Sequence, residues 1–244
     1  MRVLVVGGSG YVAGLIRPFL MAQHTLRVFD RRPPGLAELD YVEGDVCDFA
    51  AVARAAEGMD ALLYMAMGIY LGGSQPYDEH VDALTSSLDA NVKGVFLALQ
   101  AAHYAGVRHA VYTSSMSVYA GRLDQRYFPD EEVTPDAIGA YGFTKRLGEE
   151  VCRNVWRQRG MSVNALRLCL PVPEAKWLEE TVAGTPTIAT TAEDVARAVL
   201  AALDFRAGFQ AFMISGDYEQ KIMNMSKARL LLGWEPLARP VIER

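Results

Sequence analysis

The chain is poor in the residues that build metal sites and disulfide frameworks. Its 244 residues include three cysteines, Cys47, Cys152 and Cys169, and four histidines, His24, His80, His103 and His109. The cysteines are odd in number and lack ligand spacing, so free thiols in a reducing compartment are expected. The histidines are scattered, and no metal site is expected. No cluster of lysine or arginine interrupts the balance of 24 basic against 29 acidic residues, net −5, which argues against nucleic acid as a partner. Long apolar runs are missing as well. The N-terminal run Val3-Leu4-Val5-Val6 follows one basic residue and leads straight into glycines, too short for a signal segment or a membrane span. A cytoplasmic protein without a membrane partner is expected. No repeat and no low-complexity segment is present. What remains, 51% hydrophobic and 22% charged, is the composition of an ordinary globular domain large enough to bury a substantial core.

The order of elements carries more. Residues 3–6 read as a buried parallel strand, bounded by Gly7-Gly8-Ser9-Gly10. Helical spacing follows over 11–21, with Pro18 predicting a kink, and a second strand over 25–29 ends on Asp30. This is strand, glycine turn, helix, strand, with an acid about 20 residues past the glycines, the spacing of a dinucleotide fingerprint. Glycines let backbone approach a pyrophosphate, the helix N-terminus stabilises its charge, and a carboxylate after the second strand accepts both ribose hydroxyls. Asp30 favours NAD; Arg31 and Arg32, either of which can pair with a 2′-phosphate, keep NADP open. The third glycine of the pattern is replaced by Ala13, small enough for close helix packing.

Further strands are expected over 39–42, 60–67, 108–113, 162–168 and 209–215. Between them lie helices over 49–57, 79–104, 192–203, with Thr191 as N-cap, and 227–232. Asp45 is placed to reach an adenine amino group or to cap the 49–57 helix. The loop Gly68-Ile69-Tyr70-Leu71-Gly72-Gly73-Ser74-Gln75-Pro76 suits a cover over cofactor and substrate. Asn91 and Gly94, poor interior helix residues, predict a kink or a polar side chain aimed at the active site. Ser114, Ser115 and Ser117 follow the fifth strand, at the carboxyl edge where open parallel sheets bind ligands. Ser114 is assigned to local turn hydrogen bonds.

Tyr141 and Lys145 stand four apart at the start of a helical segment, so their side chains share a face. Lowering a phenol's pKa by about three units takes roughly 4 kcal/mol. An ammonium about 5 Å away, at an effective dielectric near 20, supplies on the order of 3 kcal/mol. The pair can make a base.

Gly7-Gly8-Ser9-Gly10-Tyr11-Val12, Asp30, Gly44-Asp45, Asn91-Val92-Lys93-Gly94, Thr113 to Tyr119, Tyr141 to Lys145, Glu193-Asp194-Val195-Ala196 and the tail Leu232-Gly233-Trp234-Glu235-Pro236 occur in the order and spacing of one family. Over nearly its whole length the chain resembles the extended short-chain dehydrogenase/reductases, the NAD-dependent epimerase/dehydratase family. The resemblance implies an α/β fold, a Rossmann-type doubly wound parallel sheet over 1–170, with a small substrate-binding portion over 171–244 interleaved with the last sheet elements. It implies a catalytic Ser115, Tyr141 and Lys145, with Tyr141 as acid or base. The adenine half of NAD would be held by Gly7, Ser9, Gly10, Tyr11, Val12, Asp30, Arg31, Asp45 and Val46. Met65, Ala66, Met67, Asn91 and Leu168, with Tyr141 and Lys145, would line the rest of its path. Ser115, Ser117, Tyr141 and Arg167 would meet the substrate. The family also implies a homodimer packed through the helices at 79–104 and 141–159.

Departures from the family pattern bear on the substrate. Nucleotide-sugar members continue R-x-x-N-V-Y-G-P after the sixth strand, whereas this chain reads Arg167-Leu168-Cys169-Leu170-Pro171-Val172-Pro173. Little chain separates Pro173 from Thr191, which favours a small, sugar-like substrate over a nucleotide sugar and resembles uronate dehydrogenases. The Asp-Glu pair of dehydratases is replaced by Met116 and Ser117. The expected activity is an NAD(P)-dependent dehydrogenase or epimerase. A nucleotide-sugar epimerase and a cofactor-binding regulator without chemistry remain the alternatives.

Overall fold

The structure, a computed structural model, describes residues 1–69, 80–181 and 187–240. Seven parallel strands form one sheet: β1 (Arg2–Val6), β2 (Thr25–Asp30), β3 (Asp40–Glu43), β4 (Ala61–Tyr64), β5 (His109–Ser115), β6 (Ser162–Leu168) and β9 (Phe209–Ile214), in the order β3-β2-β1-β4-β5-β6-β9. A second, two-stranded sheet pairs β7 (Pro171–Val172) with β8 (Thr190–Thr191). The helices are α1 (Tyr11–Met21), α2 (Phe49–Ala56), α3 (Val81–Leu88), α4 (Val95–Tyr104), α5 (Ala140–Arg159), α6 (Glu174–Thr181), α7 (Ala192–Asp204) and α8 (Ser226–Leu232).

Helices cover both faces of the sheet, which is why its strands are apolar without alternation. Val3 and Val5 of β1 point into one core with Ile16 and Leu20 of α1 and Val195, Val199 and Leu203 of α7. Leu4 and Val6 point into the other, with Val52 of α2, Leu99 of α4 and Val155 of α5. β1 pairs β2 on one side and β4 on the other. The chain therefore reverses direction across the sheet at β1, and a crevice opens beyond the carboxyl ends of β1 and β4.

Local chemistry fixes the helix ends. The Asp48 carboxylate accepts the Ala51 N–H at the start of α2, and the Thr191 hydroxyl accepts from Asp194 at the start of α7. Asp48, not Asp45, is thus the cap of α2; Asp45 instead accepts the N–H of Cys47. Helix α5 stops at Gly160, which takes a left-handed φ of 68°.

Helix α1 spans its expected range with Pro18 inside it; the proline removes one bond, to the carbonyl of Gly14, an exposed residue. Two expectations change. The long helix expected over 79–104 is two helices joined by a π turn at Asp89–Gly94, where the Tyr64 hydroxyl donates to the Ala90 carbonyl; residue 79 lies outside the described residues. The small β7–β8 sheet has two-residue strands, too short to leave a periodicity.

Candidate active site

β5 delivers the first reactive side chain. Its last residue, Ser115, lies opposite Leu168 at the end of β6, and both mark the carboxyl edge of the sheet. Ser115 is half-buried, and its hydroxyl accepts the Ser117 N–H at 3.0 Å, starting a single 3₁₀ turn at Met116–Val118. Against this turn packs the first turn of α5. Gly142 makes the approach possible, because a Cβ there would run into the Ser117 carbonyl oxygen.

The same turn of α5 carries Tyr141, and Lys145 follows one turn on. The Lys145 ammonium is 5.9 Å from the centre of the Tyr141 ring and 5.1 Å from that of Tyr112. Lys145 is only 3% exposed, and its ammonium donates to the Thr113 carbonyl at 2.9 Å. Burial lowers its pKa to about 8, against the opposing fields of Cys152 and Glu149. The lysine still holds its proton at neutral pH and presents a fixed charge beside the phenol. The strand end that carries Ser115 thus packs by its following turn against the helix turn that carries Tyr141, with the Lys145 ammonium beside the Tyr141 ring, residue types that can move a proton to or from a substrate oxygen.

A cleft of about 840 Å³ opens along the carboxyl ends of β1, β2 and β4, and Ser115, Tyr141 and Lys145 are not among the residues that line it. Gly7, Gly10, Tyr11, Asp30, Arg31, Asp45, Val46, Met65, Ala66 and Met67 line it, as expected from the sequence. Gly7 has φ of 81°, and a Cβ there would collide with the Ala66 backbone, so only glycine brings β1 and β4 this close. Gly10 caps α1 with no side-chain bond, and no acid sits in the first turn. The orphan N–H groups of that turn are left for an anion. Asp30 faces the cleft, where ribose hydroxyls would lie. Open helix terminus, glycine approach and carboxylate fit a dinucleotide.

Other expected residues are used differently. Ser9 gives its N–H to Asp30 at 3.0 Å and its hydroxyl to the Arg32 carbonyl, so both donors hold the β2 loop rather than a phosphate. Val12 packs its side chain into the core, and Leu168 is likewise buried. Asn91 does not face the cofactor cleft. Its amide donates to the Thr144 hydroxyl at 3.0 Å, fixing the π turn to α5 beside Lys145. Arg167, expected at the substrate, is engaged by protein partners. It is 2% exposed, and its guanidinium donates to Glu149, Tyr119 and the Glu131 carbonyl. It borders a separate cleft of about 320 Å³, lined also by Glu131, Phe143 and Arg153.

Sequence reasoning missed Thr85, Ser86, Asp89 and Lys93, which line the cofactor cleft from α3 and the π turn. Their helical spacing was visible, but nothing local showed which face met the cleft. The loop expected to cover the site lies, past residue 69, outside the described residues. Among the described residues no cluster of acids, histidines or cysteines could hold a metal ion, all three cysteines are free, and no helix is long and apolar enough to cross a membrane.

Comparison with known proteins agrees with this geometry. The family model described as the NAD dependent epimerase/dehydratase family matches residues 3–176. Over 184 residues the chain is 40% identical to a 3 beta-hydroxysteroid dehydrogenase/Delta 5-->4-isomerase of Mycobacterium tuberculosis, covering 72% of this chain and 47% of that one. Over 177 residues it is 30% identical to a uronate dehydrogenase of Pseudomonas syringae pv. tomato, covering 71% and 60% respectively. The chain spans about half the length of the curated relatives it matches. The solved uronate dehydrogenase from Agrobacterium tumefaciens superposes with a TM-score of 0.80 at 21% identity, over 97% of this chain and 84% of that one, a likeness of fold. With most of its sheet, its glycine turn and its Ser-Tyr-Lys edge inside the matched span, the chain belongs to the NAD-dependent epimerase/dehydratase family, the extended short-chain dehydrogenase/reductases.

Proposed function

We propose that this protein is an NAD-dependent oxidoreductase or epimerase that moves a hydride at a secondary alcohol, or its ketone, of a small sugar-like substrate. The observation that carries the reading is the Lys145 ammonium, buried against the Thr113 carbonyl one helical turn from Tyr141 and beside the Ser115 strand end. A charge held there favours the phenolate and lets Tyr141 take the proton of a substrate hydroxyl, or return it to a carbonyl. Ser115 donates to the same substrate oxygen. NAD, held by Gly7, Gly10 and Asp30 at the cleft, would supply the hydride acceptor in oxidation and, reduced, the donor in reduction. Asp30 favours NAD over NADP through ribose hydroxyls; Arg31 and Arg32 at the cleft are the residues that would admit a 2′-phosphate.

Residues 1–170 are assigned the cofactor and the reaction, and 171–244 the substrate side, with β9 returning to the main sheet. The short stretch between Pro173 and Thr191 supports a compact substrate. A second reading, an apolar cyclic alcohol such as a hydroxysteroid, is favoured by Leu170. Two residues past β6, it holds a positive φ of 42° and is 60% exposed, an apolar side chain displayed at the reaction edge under backbone strain. The 40% identical relative is named for a hydroxysteroid activity. A homodimer packed through α3–α4 and α5 is proposed, with exposed Leu88, Phe96 and Phe143 as its apolar contacts. A cytoplasmic location suits the three free thiols.

The test is NADH formation with free uronates and sugars, nucleotide sugars and 3β-hydroxysteroids, each with NAD and with NADP. Released NADH marks a dehydrogenase; an inverted substrate without released NADH marks an epimerase. Failure of every alcohol in the panel, with NAD bound, would leave the regulator reading in its place.

A further inference from the structure

Beside the reaction centre lies a buried ion pair to which the proposed chemistry gives no part. Glu149 of α5 is 3% exposed and Arg167 of β6 is 2% exposed. Arg167 Nε donates to one Glu149 oxygen at 3.0 Å and Nη2 to the other at 2.8 Å. Burying two charges offsets most of their attraction, and an apolar pair of similar volume is often as stable. Stability alone is therefore a poor reason for this pair, and its other contacts supply a better one.

Glu149 stands one turn beyond Lys145 and two beyond Tyr141 on the same face of α5. It accepts the Ser114 hydroxyl at 2.6 Å. Ser114 sits between Thr113, whose carbonyl receives the Lys145 ammonium, and Ser115, whose hydroxyl accepts the Ser117 N–H. Arg167 is the register partner of Ser114 across β5 and β6. Its Nη1 continues to the Tyr119 hydroxyl at 2.6 Å and the Glu131 carbonyl at 3.0 Å, in the loop that follows Ser117. One guanidinium thus ties together strand end, catalytic helix and loop.

We propose that the Glu149–Arg167 pair, acting through the Ser114 hydroxyl, is a positioning device that holds the end of β5 against α5 and so sets the placement of Ser115 and Lys145 relative to Tyr141. The inference rests on the oxidoreductase reading. Both side chains are buried among protein partners and act through Ser114 and the backbone of β5.

The test compares wild type with Ser114→Ala, which keeps the ion pair but cuts its link, and with Glu149→Leu/Arg167→Met, which replaces the pair by apolar groups. The expected result in both is a thermal midpoint within about 5 °C of wild type and a KM for NAD within about threefold, with kcat down by roughly tenfold or more. Wild-type kcat in either folded variant would overturn the proposal; should the double variant fail to fold, Ser114→Ala decides alone. If wild type turns over nothing, the oxidoreductase reading fails separately, and amide hydrogen exchange still decides this one. Faster exchange at residues 115–117 in Ser114→Ala, at unchanged thermal midpoint, is expected, and unchanged exchange there would overturn it.

Discussion

Lys145 shows how one side chain links stability to chemistry. Its ammonium is buried at 3% exposure with a pKa near 8, against about 10.4 in an unfolded chain. Between those values the unfolded chain holds a proton that the folded protein lacks, so stability rises with pH across the window, and the penalty is fully present below about 8. The stability difference between Lys145→Met and wild type is expected to change by on the order of 3 kcal/mol between pH 8 and 10.4. Urea unfolding at a series of pH values measures it, and a constant difference would show the lysine to be solvated. Gly7 is a second residue with a narrow tolerance. Gly7→Ala combines a positive φ with a collision against the Ala66 backbone, and a loss of about 3 kcal/mol or more is expected in denaturant melts, together with NAD binding. Tyr141, Lys145, Ser115, Asp30 and Gly7 were legible in the sequence because their spacing relative to strand ends places them. The partners of Arg167 and Asn91 were not legible, for the converse reason. Spacing puts a residue near an edge, but which facing side chain captures it, Glu149 for one and Thr144 for the other, is a matter of tertiary contact.

At the scale of elements, the contact between α5 and the 3₁₀ turn after β5 sets the geometry of the reaction edge. Gly142→Ala forces the two apart at the Ser117 carbonyl. Loss of kcat by roughly a hundredfold is expected while NAD binding persists, since the cofactor cleft lies on β1, β2 and β4; isothermal titration beside steady-state kinetics separates the two effects. A second element-level contact holds the tail. The buried Asp194 carboxylate at the start of α7 accepts the N–H groups of Leu237 and Ala238, and the Asp194 carbonyl accepts Trp234 Nε1. Asp194→Ala is expected to lower stability by about 2–4 kcal/mol, with Trp234 fluorescence reporting release of the tail. The alternation of strands and helices was readable because parallel strands are short apolar runs and their helices amphipathic. The π turn left a trace in Asn91 and Gly94, yet its geometry comes from the Tyr64 hydroxyl on the far side of the packing. The β7–β8 pair left none.

At the scale of the whole molecule, the sheet order places a cofactor cleft at the reversal beside β1 and the Ser-Tyr-Lys edge beyond β5. One sheet would therefore serve both halves of the proposed reaction. The family match ends at residue 176, so the part of the chain that would choose the substrate is the part with least likeness to draw on, and the sequence signals there were correspondingly few. Phe96→Glu is expected to yield monomer by sedimentation velocity, as the proposed dimer through α3–α4 and α5 requires, and an unchanged dimer would place the interface elsewhere. The central claim is that Tyr141, charged by Lys145 and aided by Ser115, moves the proton while hydride passes to NAD. The most direct test follows NADH absorbance with a turned-over alcohol for wild type and Tyr141→Phe. The phenylalanine variant is expected to bind NAD as tightly as wild type and to lose at least about a hundredfold in kcat; full turnover by that variant would rule out Tyr141 as the proton-moving group.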